Sequence, residues 1–185
     1  MSKKKHQALQ KQNLQAQEQT INKYKLDWQK ICLFEPAYLP TGVNGCRIYY
    51  DDGVIDEIPA RINWVLDDWA AYLNTSIEIL QKQTRNWLGE GNWRKMPLVL
   101  NRHFCLVPVR CRRPLRHNDG AVGYAVLQKI KLVQELRDNT AALHFHTIKQ
   151  PIQIVDSRRC VTQNIALGWA MVHRYEQETA LKESL

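Results

Sequence analysis

Seven cations and no carboxylate lie between Gly91 and Asn118: Arg94, Lys95, Arg102, Arg110, Arg112, Arg113 and Arg116. Six of them are arginine, whose planar guanidinium can meet phosphate or carboxylate oxygens two at a time. A stretch of one charge sign attracts polyanions, and arginine in particular is drawn into the narrow, strongly negative minor groove of A·T-rich duplexes. His103 and His117 extend the set, and the run Arg112-Arg113-Pro114-Leu115-Arg116-His117-Asn118 has the make-up of a loop able to reach a groove. From Glu35 to Asp68 the balance reverses, with seven acids against Arg47 and Arg61. The plainer arrangement is therefore a solvated loop that pairs with this acidic segment, in its own chain or a neighbouring subunit. The high arginine content tilts the reading towards nucleic acid.

Other chemistry is thinly represented. His144-x-His146 would place two imidazoles on one face of a strand, yet no nearby cysteine or carboxylate completes a metal shell. Two strand histidines facing solvent, or serving DNA, fit better. Asp51-Asp52 and Asp67-Asp68 are adjacent pairs whose side chains diverge in a turn or on a helix, so spacing alone does not make a two-carboxylate site. There is no glycine-rich phosphate loop, nucleophile elbow or His-Glu-x-x-His helix. No catalytic site, cofactor or metal is expected. Cys32, Cys46, Cys105, Cys111 and Cys160 are odd in number and scattered, which suits reduced thiols in packing roles. Trp28 and Trp93, flanked by polar or basic residues, are candidates for stacking on bases; the plainer role is a buried anchor. Tyr124 and Phe104 share that ambiguity.

The net charge of +8 favours an anionic partner without choosing among DNA, RNA, ribosomes and an acidic membrane surface. No window reaches the roughly 18 apolar residues of a membrane span, and the start lacks the apolar stretch of a signal peptide. A cytoplasmic, nucleoid-associated protein is the expectation, with no membrane partner.

The elements that must hold these residues follow from periodicity. Residues 1–23 are rich in Gln and Lys and nearly free of aromatics, reading as a basic, partly helical or disordered arm. Residues 24–176 form one α+β domain, and 177–185 a polar tail. Short apolar runs at Ile31–Phe34, Arg47–Tyr50 and Val54–Ile55, broken by Pro40-Thr41-Gly42 and Asp51-Asp52-Gly53, predict a small meander. Ile62, Val65, Leu66, Trp69, Tyr72 and Leu73 recur at helical spacing. A capping box at Thr75-x-x-Glu78 opens a second helix carrying Ile77, Leu80, Trp87 and Leu88, which stops at Gly89. Further strands are expected at Leu98–Leu100, Phe104–Val109, Gly123–Gln128, Lys131–Leu136 and Leu143–Ile148. Together they predict a mixed or antiparallel sheet with helices on one face. Ser157 caps a last helix with Val161, Ile165, Trp169, Val172 and Tyr175 on its inner face.

This order of features resembles the competence transcription factor (ComK) family of Gram-positive bacteria over about residues 30 to 175. The resemblance is carried by Ser76 to Gly89 leading into Lys95-Met96-Pro97-Leu98-Val99, by Phe104–Cys111 with Pro108 inside it, by Gly123-Tyr124-Ala125 ahead of Ile130, and by Ser157 with Thr162-Gln163-Asn164. The family's Lys-x-Pro-Ile strand appears as Lys95-x-Pro97-Leu98. Its Phe-Pro-Thr-x-Ser strand end is reduced to Val107-Pro108-Val109-Arg110-Cys111, its Trp-Ile becomes Tyr124-Ala125, and its Asn-Gln pair becomes Gln163-Asn164. The resemblance implies an activator of competence genes that binds paired A/T-rich boxes in double-stranded DNA, largely through the minor groove. It further implies a homodimer or homotetramer on DNA and delivery by an adaptor to a Clp protease. Two other classes remain open from the residues themselves: an RNA-binding or ribosome-associated protein, and an interaction module that self-associates through its acidic and basic segments.

Overall fold

The computed structural model describes residues 23–89, 96–116 and 119–184; apart from Lys23, the amino-terminal arm lies outside them. The first three β-forming runs make β1 (Ile31–Tyr38), β2 (Asn44–Tyr50) and β3 (Ile55–Ile58), paired in sequence as an antiparallel meander. Two helices follow, α1 (Ile62–Tyr72) and α2 (Ile77–Leu88). The cap of α2 is Ser76, whose hydroxyl accepts the Ile79 amide at 3.3 Å; the Thr75 box expected from the sequence is displaced by one residue. Strands β4 (Leu98–Asn101), β5 (Phe104–Arg110) and β6 (Val122–Val126) complete a six-stranded sheet in the order β3-β2-β1-β6-β5-β4, antiparallel at every step.

The later strands leave that sheet. A 3-10 turn at Leu127–Lys129 redirects the chain, and β7 (Ile130–Glu135), β8 (Ala141–Phe145) and β9 (Ile152–Ile154) form a second, three-stranded antiparallel sheet. Strand β8 starts and ends earlier than the expected Leu143–Ile148, because Asp138 and Asn139 turn the chain in left-handed conformations, φ 59° and 57°, immediately upstream. The last helix, α3, runs from Arg158 to Glu183, so residues expected as a polar tail continue the helix by more than a turn.

Three layers result. On one face of the large sheet, α1 packs Val65, Leu66 and Trp69 against Phe34, Ile48, Leu98, Leu106 and Val126. The other face is covered twice, and α3 lies there, so the helices do not share one face as expected. The small sheet seals Leu33, Val109 and Ala125 with Leu143, Phe145 and Ile154, while α3 presses Met171 and Val172 onto Val99, Cys105 and Val107. Cover on both faces explains why Ile31 to Ala37, Glu35 included, and Cys105 to Val109 are buried without alternation.

Four of the five residues expected on the inner face of α3 turn inward, Ile165 and Tyr175 packing beside the buried Val161 and Val172; Trp169 does not. Val161, Gly168, Met171 and Val172 are buried, whereas Trp169 is 48% exposed. Gly168 makes the close approach possible, since a Cβ there would sit 3.0 Å from Leu127 Cδ2 and 3.4 Å from Val107. The candidate base-stacking residue Trp28 is 2% exposed and stacks on Trp69 at 5.3 Å; it is core. Phe104 packs edge-on against Trp69 at 5.6 Å and Tyr124 stacks on Phe34 at 5.7 Å, so both join the same cluster. Trp93 lies outside the described residues.

Candidate nucleic-acid interface

Because β1 and β5 each run antiparallel to β6, they finish at the same end of the large sheet. That end gathers the close of β1, the start of β2, the segment from Cys111 to Ala121 that joins β5 to β6, and the start of α3. Gly123 admits the tight crossing there: a Cβ would stand 2.5 Å from the Phe34 carbonyl oxygen and 2.8 Å from Cys111 Sγ.

The segment after β5 is braced by its own side chains. Arg112 donates Nε–H to the Gly120 carbonyl at 2.7 Å and Nη2–H to Asn44 Oδ1 at 2.6 Å, and its guanidinium carbon lies 4.0 Å from the Tyr38 ring centroid. The Tyr38 hydroxyl donates to Asp119 Oδ2 at 2.5 Å and accepts the Leu115 N–H at 2.9 Å. Asp119 Oδ2 also accepts the Arg116 N–H at 3.0 Å, its Oδ1 accepts from Asn44, and its own N–H returns to the Arg116 carbonyl. The Tyr38 hydroxyl bond holds the Asp119 carboxyl below the ordinary carboxylate range, helped by the Arg116 amide and by the charges of Arg112 and Arg116. Asp119 is thus consumed in shaping the loop.

The expected contact residues divide accordingly. Arg110, Arg113 and Arg116 are exposed, and among the described residues none of them, nor Arg112, is within an ion pair. Arg112 is a brace with half-buried placement, and one of its terminal nitrogens is buried without a partner. Arg102 stands at the other end of β5, roughly 20 Å away at about 3.3 Å per strand residue, donating to His103 Nε2 at 2.8 Å. Arg94, Lys95 and His117 fall outside the described residues.

Two cations were missed by reading the sequence in windows. The Arg110 N–H donates to Asp156 Oδ2 at 2.7 Å, and the Arg110 carbonyl accepts from the Val155 and Asp156 amides. This locks the end of β5 to the segment leading into α3, whose first two residues are the exposed Arg158 and Arg159. Their signal was the pair itself, lying 42 residues beyond Arg116 in the chain and set apart from the main cluster. A shallow groove of about 480 Å³ runs past them, lined also by Glu135, Asn139, Ser157, Thr162 and Gln163.

Arg47 donates Nε–H and Nη2–H to Glu57 at 2.9 and 2.7 Å and lies 3.6 Å from Glu35, which also accepts from the Tyr49 hydroxyl at 2.7 Å. This network floors a cleft of about 690 Å³ between the β2–β3 hairpin and residues 147–153. Burial pushes the Glu35 carboxyl up, opposed by Tyr49 and Arg47, and pushes the Cys111 thiol beside it well up.

All five cysteines are free, and burial raises the thiols of Cys46 and Cys105 to about 12. His144 shares a 2.8 Å hydrogen bond with Gln134 on the neighbouring strand, and His146 lies just past β8. Among the described residues no three His, Cys, Asp or Glu side chains are placed to hold a metal, and no helix is long and apolar enough to cross a membrane. No family model matches the chain, and neither a curated protein nor a solved structure is found similar to it.

Proposed function

We propose that this protein is a double-stranded-DNA-binding transcriptional regulator whose contact surface is the Arg110–Arg116 segment together with Arg158 and Arg159. One observation carries the reading: Arg110, Arg113 and Arg116 stand exposed around a hydrogen-bonded loop, with no carboxylate in ion-pair range among the described residues. Guanidinium groups held open in this way supply phosphate contacts and can enter a narrow minor groove. The intramolecular alternative, in which these arginines pair with Asp51, Asp56 or Asp67, has no support. Lys129 is the ion-pair partner of Asp51, and Arg47 answers Glu35 and Glu57.

The resemblance to the ComK family supplies the finer terms: A/T-rich boxes, activation of competence genes, a dimer or tetramer on DNA, and an adaptor with its Clp protease. The test is a mobility shift of the full chain on an A/T-rich duplex, a G/C-rich duplex and a structured RNA across one salt series. Tighter binding to the A/T-rich duplex is the expected result. Equal or better binding to the RNA, or no binding to any of the three, overturns the reading.

A further inference from the structure

Leu115 is the most exposed large apolar residue of the described chain, at 80%, and it sits at the crown of the loop just described. Single exposed leucines are ordinary. This one is distinguished by its setting. Pro114 precedes it, with φ fixed by its ring, and Arg113 and Arg116 flank the pair on either side. Its own N–H is tied to the Tyr38 hydroxyl at 2.9 Å, and the next amide is tied to Asp119 at 3.0 Å. Below it, Arg112 is clamped to Gly120 and Asn44. An apolar side chain on a free loop would fold back onto the protein, but this backbone is fastened at consecutive residues and keeps Leu115 outward.

Resting on the DNA-binding reading above, we infer that Leu115 is a wedge that enters the minor groove and partly unstacks one base step, with Arg113 and Arg116 holding the phosphates on either side. Apolar side chains that intrude in this way part neighbouring bases and kink the duplex towards the major groove. Pyrimidine–purine steps, TA above all, yield most readily, so the wedge would choose among A/T-rich sequences by how easily a step opens rather than by reading base edges. Phosphate attraction and step selection are thereby separated: the arginines set affinity, and Leu115 sets where along the duplex the protein stops.

The experiment uses the full chain and A/T-rich duplexes carrying 2-aminopurine at successive TA steps, with bending followed by end-to-end energy transfer. The wild type should raise the fluorescence at one step and bend the duplex by an angle within roughly 20–90°. Leu115→Ser should keep the salt dependence of binding while losing both the fluorescence rise and the bend, and Leu115→Met should restore them. A Leu115→Ser protein that still unstacks and bends, or a wild type that binds without doing either, overturns the wedge and leaves the DNA-binding reading standing. Absence of binding by the wild type removes both.

Discussion

At one end of the six-stranded sheet the lysines are answered by carboxylates: Lys30 lies 3.5 Å from Asp52 and 3.7 Å from Asp27, and Lys129 lies 3.2 Å from Asp51. At the other end Arg110, Arg113 and Arg116 have no such partner, because the nearby acids are already occupied: Asp119 by the Tyr38 hydroxyl and the Arg116 amide, and Asp156 by the Arg110 amide. Backbone amides and a phenol shape the loop and absorb the negative charge, which leaves the guanidinium groups open to solvent. A count of cations does not distinguish the two ends. What distinguishes them is whether the local carboxylates answer side chains or backbone.

The sharpest way to break the contrast is to neutralise each end in turn. Replacing Arg110, Arg113 and Arg116 by alanine should lower the salt slope of duplex binding by about three, so that the ratio of affinities at 50 and 200 mM salt shrinks roughly forty-fold. The Lys30→Ala, Lys129→Ala pair should leave the slope where it was. Equal losses from both variants, read in the same titrations, would mean that the two ends are alike.

A smaller effect comes from the root of the loop. Gly123→Ala sets a methyl group against the Phe34 carbonyl and Cys111. Overpacking of this kind should lower stability by about 1–3 kcal/mol and Tm by roughly 2–12 °C. A thermal scan showing an unchanged Tm would indicate that β6 can move away from β1 freely.

Smaller again, Tyr38→Phe removes the hydroxyl that links Leu115 to Asp119 but keeps the ring under Arg112. A loss of about 0.5–1 kcal/mol is expected, with faster amide exchange at Leu115 and Arg116. Lys129→Ala should show no change in exchange there. Unaltered exchange in the Tyr38 variant would place the loop's rigidity elsewhere.

The smallest effect is one of pH. Asp119 titrates below its ordinary value because its charged form accepts the Tyr38 and Arg116 bonds. The contribution to loop order is therefore complete above the unfolded carboxyl value and disappears as pH falls through the depressed one. Amide protection at Leu115 should hold at mild acidity and fade only below the usual aspartate range. Fading already near neutral pH would contradict the assigned bonds.

Much of the architecture was legible from periodicity. The meander with its Asp51-Asp52-Gly53 turn, the stripe Ile62-Val65-Leu66-Trp69, and Ser157 as the cap of α3 all stand where spacing put them. Failures came where two local signals competed or partners were distant. Thr75 and Ser76 both offered a capping hydroxyl. Trp169 fits a helical stripe through Ile165, but the close approach at Gly168, one position earlier, sets Gly168, Met171 and Val172 against the core and leaves Trp169 outside. Strand β9, three residues long, is too short for an alternation pattern. The split into two sheets depends on a 3-10 turn that has no strong sequence mark.

The sequence alone determined which residue types are concentrated where: a carboxylate-free run of arginines, a separate acidic stretch, and the periodic faces that make helices and strands. Those depend on neighbours within a few residues. Only the tertiary structure decided which arginines remain open, that Arg112 is a brace and Arg102 stands apart, and that the end of β5 is tied to the segment entering α3. The field around a charge depends on what lies within a few ångströms in space, and β-sheet pairing brings together residues that the chain holds dozens of positions apart.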